Sequence, residues 1–218
     1  MDRNTAVYPT EERDLPQVAE LLVQLYHEEA PGMLPGWRQA ECNLLSSLLY
    51  ASKKIILKTS YVIKESERVV AYAAFAPASL PRHSSFTVNL VIRSCSELGF
   101  ENGIRYLMEY IKLTHVVCAP LSYGTGQLHS LVVDRSSRGK GYGRALCNHI
   151  ELVARRQHDT LLIYVLYGNA VTDFYSRLGY ELVKLPQQRS LLKRWYRYRS
   201  IAMSKSLLRQ ETTSLLCH

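Results

Sequence analysis

Residues 128–151, LHSLVVDRSSRGKGYGRALCNHIE, constrain this chain more than any other segment. An apolar run from Leu128 to Val133 reads as a strand, stops at Asp134 and enters a turn of Arg, Ser and Gly. The turn carries Arg138-Gly139-Lys140-Gly141-Tyr142-Gly143, after which Ala145, Leu146, His149, Ile150 and Val153 recur at helical spacing. A strand that passes through a glycine turn into a helix start exposes backbone N–H groups without intrahelical partners, and these are natural donors to phosphate. Glycine lets the backbone approach closely, and Arg138, Lys140 and Arg144 add positive charge.

Spacing separates the phosphate loops that share this description. A nucleoside triphosphate loop needs G-x-x-x-x-G-K-[ST], which Gly139, Gly141 and Gly143 do not supply. A dinucleotide fingerprint needs G-x-G-x-x-G with an acidic residue some twenty positions on, whereas these glycines run G-x-G-x-G and come late in the chain. The pattern that fits is R-x-x-G-x-G, as Arg138, Gly141 and Gly143.

A second segment follows at residues 161–166, the buried-strand run Leu-Leu-Ile-Tyr-Val-Leu, and then Gly168-Asn169-Ala170. A short helical piece with Phe174, Tyr175 and Leu178 closes at Gly179 and resumes as a strand at Tyr180-Glu181-Leu182-Val183. Asn169 suits a helix cap, and Gly179 suits a left-handed helix end. Together, R-x-x-G-x-G and the later N-A-x-x-x-F-Y-x-x-L-G-Y resemble the two signatures of the GCN5-related N-acetyltransferases (GNAT). The motifs cover roughly residues 128–183. The remainder follows as a compatible order of strands and helices.

That resemblance implies an α/β (α+β) fold with a mixed, mostly antiparallel central sheet flanked by helices. It implies acetyl-CoA as cosubstrate, lying in the splay between the strands that end near Val133 and Leu166. The cofactor-binding positions it assigns are Leu131, Val132, Val133, Arg138, Gly139, Lys140, Gly141, Tyr142, Gly143, Arg144, Asn169 and Tyr175. Tyr175 falls at the family tyrosine that protonates the departing CoA sulfur, and a phenol with an ordinary pKa of about 10 keeps its proton at neutral pH. His129 matches a histidine that assists deprotonation in the arylalkylamine acetyltransferases. Its ordinary pKa of about 6.5 leaves it mostly neutral at pH 7. Strict alternation along a strand would put His129 on one face with Leu131 and Val133. The opposing reading makes His129 a satisfied interior residue and Tyr175 a core aromatic.

The rest of the chain reads coarsely. Residues 6–9 suit a first strand, and Asp14 a helix start before Leu15, Val18, Leu21, Leu22 and Leu25. Residues 41–51 suit a second helix, and residues 60–64 and 68–76 a hairpin about Glu65-Ser66-Glu67. Between residues 77 and 126 the chain departs from the family pattern by some fifty residues. Ile104, Leu107, Met108 and Ile111 stand there at helical spacing with Tyr106 and Tyr110, while residues 86–92 suit an extra strand or helical turn. A structureless loop of that length is improbable, so the expectation is a helical insertion, either a packing ornament or a cover over the acceptor site.

With 218 residues, 47% of them hydrophobic, the expectation is a single domain over residues 1–209 with a frayed tail at 210–218. No run of eighteen apolar residues and no signal-peptide core is evident, so no membrane partner is expected. The five cysteines, Cys42, Cys95, Cys118, Cys147 and Cys217, show no CxxC spacing and read as reduced thiols of a cytoplasmic protein, the nucleus being left open. No metal cluster is evident. From Lys184 to Arg209 every ionisable side chain is basic and Trp195, Tyr196 and Tyr198 interleave, yet a solvated basic hairpin is favoured over a nucleic-acid surface. The function expected is direct acetyl transfer in a ternary complex to a small primary amine, by a monomer or homodimer. A protein N-terminal or lysine acetyltransferase and a non-catalytic CoA-binding module are the alternatives.

Overall fold

The computed structural model describes residues 5–77, 88–117, 124–166, 171–183 and 200–208. Seven strands form one sheet: β1 (Tyr8–Pro9), β2 (Ser60–Glu65), β3 (Arg68–Ala76), β4 (Thr125–Val133), β5 (Thr160–Leu166), β6 (Glu181–Val183) and β7 (Ser200–Ser206), in the order β1-β2-β3-β4-β5-β7-β6. Only β4 and β5 pair in parallel; every other neighbour is antiparallel. The mixed, mostly antiparallel sheet expected from the sequence is therefore the one observed.

Among the described residues, seven α-helices cover it: α1 (Leu15–Glu29), α2 (Arg38–Ala51), α3 (Lys53–Thr59), α4 (Val88–Leu98), α5 (Phe100–Val117), α6 (Tyr142–Ala154) and α7 (Val171–Arg177). One face of the sheet packs against α1, α2, α4 and α5 through Leu15, Leu44, Leu98, Tyr106, Tyr72 and Val132. The other packs against α6 and α7 through Ala71, Ala73, Leu146, Ile150, Ile163 and Tyr175. Successive residues of β3 thus feed opposite cores, as the pleat requires. In α1, Leu15, Val18, Ala19 and Leu22 make the buried stripe, and each leucine-sized side chain taken out of water contributes about 1.5–3 kcal/mol.

Local chemistry explains the element ends. Pro16 near the start of α1 lacks an N–H that would have found no helical partner. The Asp14 carboxylate does not cap α1 in the way its position suggests. It accepts from the Glu11 backbone N–H at 2.9 Å and pairs with Lys64 at 2.7 Å, fixing the turn Glu12–Asp14 to β2. The β2–β3 turn uses Ser66 and Glu67 at φ of 47° and 67°, the left-handed pair that a two-residue hairpin needs to match strand twist.

Over its described residues the insertion is helical, as expected: α4 takes the helical of the two readings of residues 86–92, whose first two residues lie outside the described ones, and α3 was not legible in the sequence. Tyr106, at 0% exposure, anchors α5 to the first core. Gly103 lets α4 and α5 approach: a Cβ there would stand 2.7 Å from the Cys95 backbone. The insertion is thus part of the core beside α2, whatever else it does.

Candidate active site

Along β3, Ala74 opposes Ser130 whereas Phe75 opposes Leu128, so His129 is the extra residue of a β-bulge. The parallel ladder of β4 with β5 stops at Leu128 and Ile163. A bulge leaves one residue out of register and bends its strand. Beyond it the two strands no longer pair with each other, and a cleft of ≈ 1740 Å³ opens between them.

Leu131, Val132 and Val133 line this cleft on the β4 side, and Tyr164, Val165 and Leu166 on the β5 side. Arg138, Gly139, Lys140, Gly141, Tyr142, Gly143 and Arg144 form its end, where the loop runs into α6. Gly139 and Gly141 sit at φ of 80° and 88°, a backbone that side-chain-bearing residues rarely adopt. A Cβ at Gly141 would meet nothing within 4 Å, so the space beside the helix start is open. Gly143 serves a different purpose: a Cβ there would lie 3.3 Å from the Phe174 ring, so its absence seats α6 on α7.

Tyr175 lines the same cleft yet is 7% exposed, its ring edge-on to Phe174 and Tyr180. Burial, with Cys147 and Glu29 nearby, pushes its phenol well above the ordinary value, so it holds its proton and can donate. Asn169 lies outside the described residues. Every other cofactor-binding position expected from the sequence lines this one cleft.

His129 is placed differently from the expectation. The bulge breaks strict alternation, so Leu128 rather than His129 joins the core shared by Leu131 and Val133. His129 is exposed and is not among the residues lining the cleft. A bulge depends on how two strands pair, which a single strand's residues do not reveal.

Three further side chains hydrogen-bond to the end of β4 or to the loop and were missed. Gln24 of α1 donates to the Val133 carbonyl at 3.1 Å and accepts from the Arg135 N–H at 3.3 Å, tying the helix to the end of β4. Glu28, one turn on, accepts from Arg138 at 2.6 and 2.8 Å and from Arg135 at 2.7 Å. Partial burial drives its carboxyl upward, but those two guanidinium bonds outweigh it and hold it below the ordinary value. Glu65, the last residue of β2, accepts from Lys140 at 2.8 Å and from the Tyr142 hydroxyl. Glu28 and Gln24 sit more than a hundred residues from their partners, and no local pattern signals such a contact.

A smaller cavity of ≈ 360 Å³ lies elsewhere along α1, lined among others by Gln17, His27, Glu41 and Arg68. His27 Nε2 stands 2.8 Å from the fully buried Glu41, which also accepts from the Gly36 N–H. Among the described residues, no group of three His, Cys, Asp or Glu side chains could hold a metal ion, and no helix is long and apolar enough to cross a membrane.

Residues 105–182 match the family model described as an acetyltransferase (GNAT) domain, a span running from α5 through β6. That span is similar to a GNAT acetyltransferase domain, and the chain as a whole has the fold of solved acetyltransferases. The ribosomal-protein-alanine N-acetyltransferase of Brucella melitensis is similar over 92% of this chain and 99% of its own, at 20% identity and a TM-score of 0.54. The yncA protein of Salmonella typhimurium, solved with its cofactor acetyl-CoA, is similar over 95% of this chain and 96% of its own, at 18% identity and a TM-score of 0.54. N-acetylglutamate synthase of Neisseria gonorrhoeae, complexed with coenzyme A and N-acetyl-glutamate, matches 94% of this chain with 35% of its own, at 14% identity and a TM-score of 0.55. At such identities the likeness shows a shared fold.

Proposed function

We propose that this protein transfers an acetyl group from acetyl-CoA to a small primary amine, directly, with both substrates bound together. One observation carries the reading: a single cleft joins the cationic glycine loop, the end of β4 that has parted from β5 and a buried, proton-holding Tyr175. The pyrophosphate takes the N–H groups at the start of α6 with Arg138, Lys140 and Arg144, in the open space beside Gly141. The pantetheine arm then runs along residues 131–133, where β4 no longer pairs with β5. The yncA neighbour, solved with acetyl-CoA, supports this choice of cosubstrate.

In the transfer, the neutral amine attacks the thioester carbonyl carbon. The C–N bond forms, the C–S bond breaks, and its electron pair goes to sulfur. Tyr175 gives the sulfur a proton, which leaves CoA as a thiol. The amine's surplus proton passes through water to His129, whose exposed position outside the cleft lining makes a direct transfer the poorer geometry. Tyr175 regains its proton from solvent.

The test is a panel of small amines and peptides scored for CoA release. Small primary amines are expected to be turned over. Release with peptides alone would move the assignment to a protein acetyltransferase. CoA binding without any turnover would make the chain a binding module.

A further inference from the structure

Arg138 of the glycine loop and Arg135 just before it are both engaged by one carboxylate of the protein. Arg138 gives both Glu28 oxygens a hydrogen bond, at 2.8 and 2.6 Å, and Arg135 adds a third at 2.7 Å. Glu28 does not come from the loop. It stands at the end of α1, and its side chain is 25% exposed. Two oxygens facing one guanidinium is the geometry a phosphate would adopt on the same group.

Glu28 and Glu29 are also the acidic side chains lining the cleft among the described residues, together with Leu131–Val133 and Tyr175. Together they place carboxylate charge at the end of α1, while Arg138, Lys140 and Arg144 place cationic charge at the loop.

Resting on the assignment of this cleft to acetyl-CoA, we propose that Glu28 is an internal anion that the cofactor's phosphates displace, and that the released carboxylate then receives a cationic acceptor. The exchange is electrostatically balanced. Arg138 trades one anion for another, and Glu28, which keeps its bond to Arg135, trades the Arg138 guanidinium for an ammonium. It also sets an order of binding. Before the cofactor arrives Glu28 is neutralised, so the cleft offers the acceptor less negative charge; afterwards it offers a carboxylate beside Glu29. The acceptor class this suits is a short diamine. One nitrogen remains an ammonium on the carboxylates while the other, neutral, attacks the thioester.

Calorimetry on the full chain at low salt tests this, with CoA as the non-reacting cofactor, ADP as the phosphate fragment and 1,4-diaminobutane as the acceptor probe. Glu28→Gln keeps the side chain's shape and removes its charge. It is expected to bind CoA and ADP about three- to ten-fold tighter, the scale of losing one competing charged hydrogen-bond set. In the wild type the diamine should bind several-fold tighter with CoA present than without, and Glu28→Gln should lose that gain. Glu12→Gln, which removes an equal charge paired with Lys53 rather than with a loop residue, should change neither affinity. Equal or weaker CoA binding by Glu28→Gln would overturn the exchange and make Glu28 a residue that positions Arg138. A wild-type diamine affinity indifferent to CoA would overturn the acceptor half. Wild-type protein that binds neither CoA nor ADP would remove the cofactor assignment itself, an outcome distinct from either.

Discussion

Tyr175 and Gly141 carry the proposed chemistry and the proposed binding, and each can be tested alone. A donor used as the thiolate develops acts mainly in the transition state, so Tyr175→Phe should lower kcat by about 10²–10⁴-fold and leave CoA affinity nearly unchanged. Steady-state kinetics beside calorimetry checks this. A wild-type kcat under conditions where chemistry limits the rate removes Tyr175 as the acid. At Gly141 two effects separate cleanly. Gly141→Ala adds a Cβ that meets nothing within 4 Å but forces a left-handed backbone at φ of 88°, costing about 1–2 kcal/mol of stability. Gly141→Trp adds bulk in the phosphate space as well, and should weaken acetyl-CoA binding by about ten-fold or more, or 1.4 kcal/mol. Unchanged affinity in the tryptophan variant would move the pyrophosphate elsewhere. Gly139 and Gly141 were legible as loop glycines from spacing alone. The partners of Arg138 were not, because Glu28 is brought to the loop by the packing of α1.

At the scale of elements, α4 and α5 are the part of the molecule that departs from the family pattern. They cross closely at Gly103 and bury Tyr106, Leu98 and Leu90 against α1 and α2. A valine at position 103 would have to push α4 away from α5, since the Cys95 backbone lies 2.7 Å from its Cβ. The expected loss is about 1–3 kcal/mol of stability, seen as a lower midpoint in urea unfolding. Tyr106→Ala empties a site of 0% exposure and should cost more, about 3–5 kcal/mol by analogy with other buried aromatics. A midpoint unchanged in both variants would mean the helix pair is not part of the cooperative core. Replacing residues 99–113 with a Gly/Ser linker should therefore destabilise the whole domain, and any change in acceptor preference has to be read on point variants that still fold. The periodicity of residues 104–111 did announce a helix. Its depth in the core did not show, because one apolar stripe looks the same whether it faces a shared core or a surface groove.

For the molecule as a whole, acid should act partly through two histidines. His158 is buried against Phe75 with neither ring nitrogen hydrogen-bonded, and burial lowers its pKa; burial likewise lowers that of His149. The folded protein therefore binds fewer protons than the unfolded chain near these groups. Their favourable contribution is full above the ordinary histidine value of about 6.5 and is lost as pH falls through it toward the folded value. Thermal midpoints at pH 7.5, 6.5 and 5.5 should decline across this window, and His158→Leu should flatten the decline. An equal slope in that variant assigns the acid sensitivity to other groups. What the sequence determined by itself was whatever is encoded within a few residues: the β4–loop–α6 unit, the left-handed Gly179, the β2–β3 hairpin, and the position of Tyr175 on a short helix. Periodicity and glycine spacing act locally, so they survive reading one residue after another. What only the tertiary structure decided depends on segments far apart in the chain. The bulge that puts His129 outside the cleft exists only in the pairing of β3 with β4, and Glu28 reaches Arg138 only because α1 packs against the end of β4. Register and inter-element contacts are properties of two segments at once, and no single stretch of residues carries them.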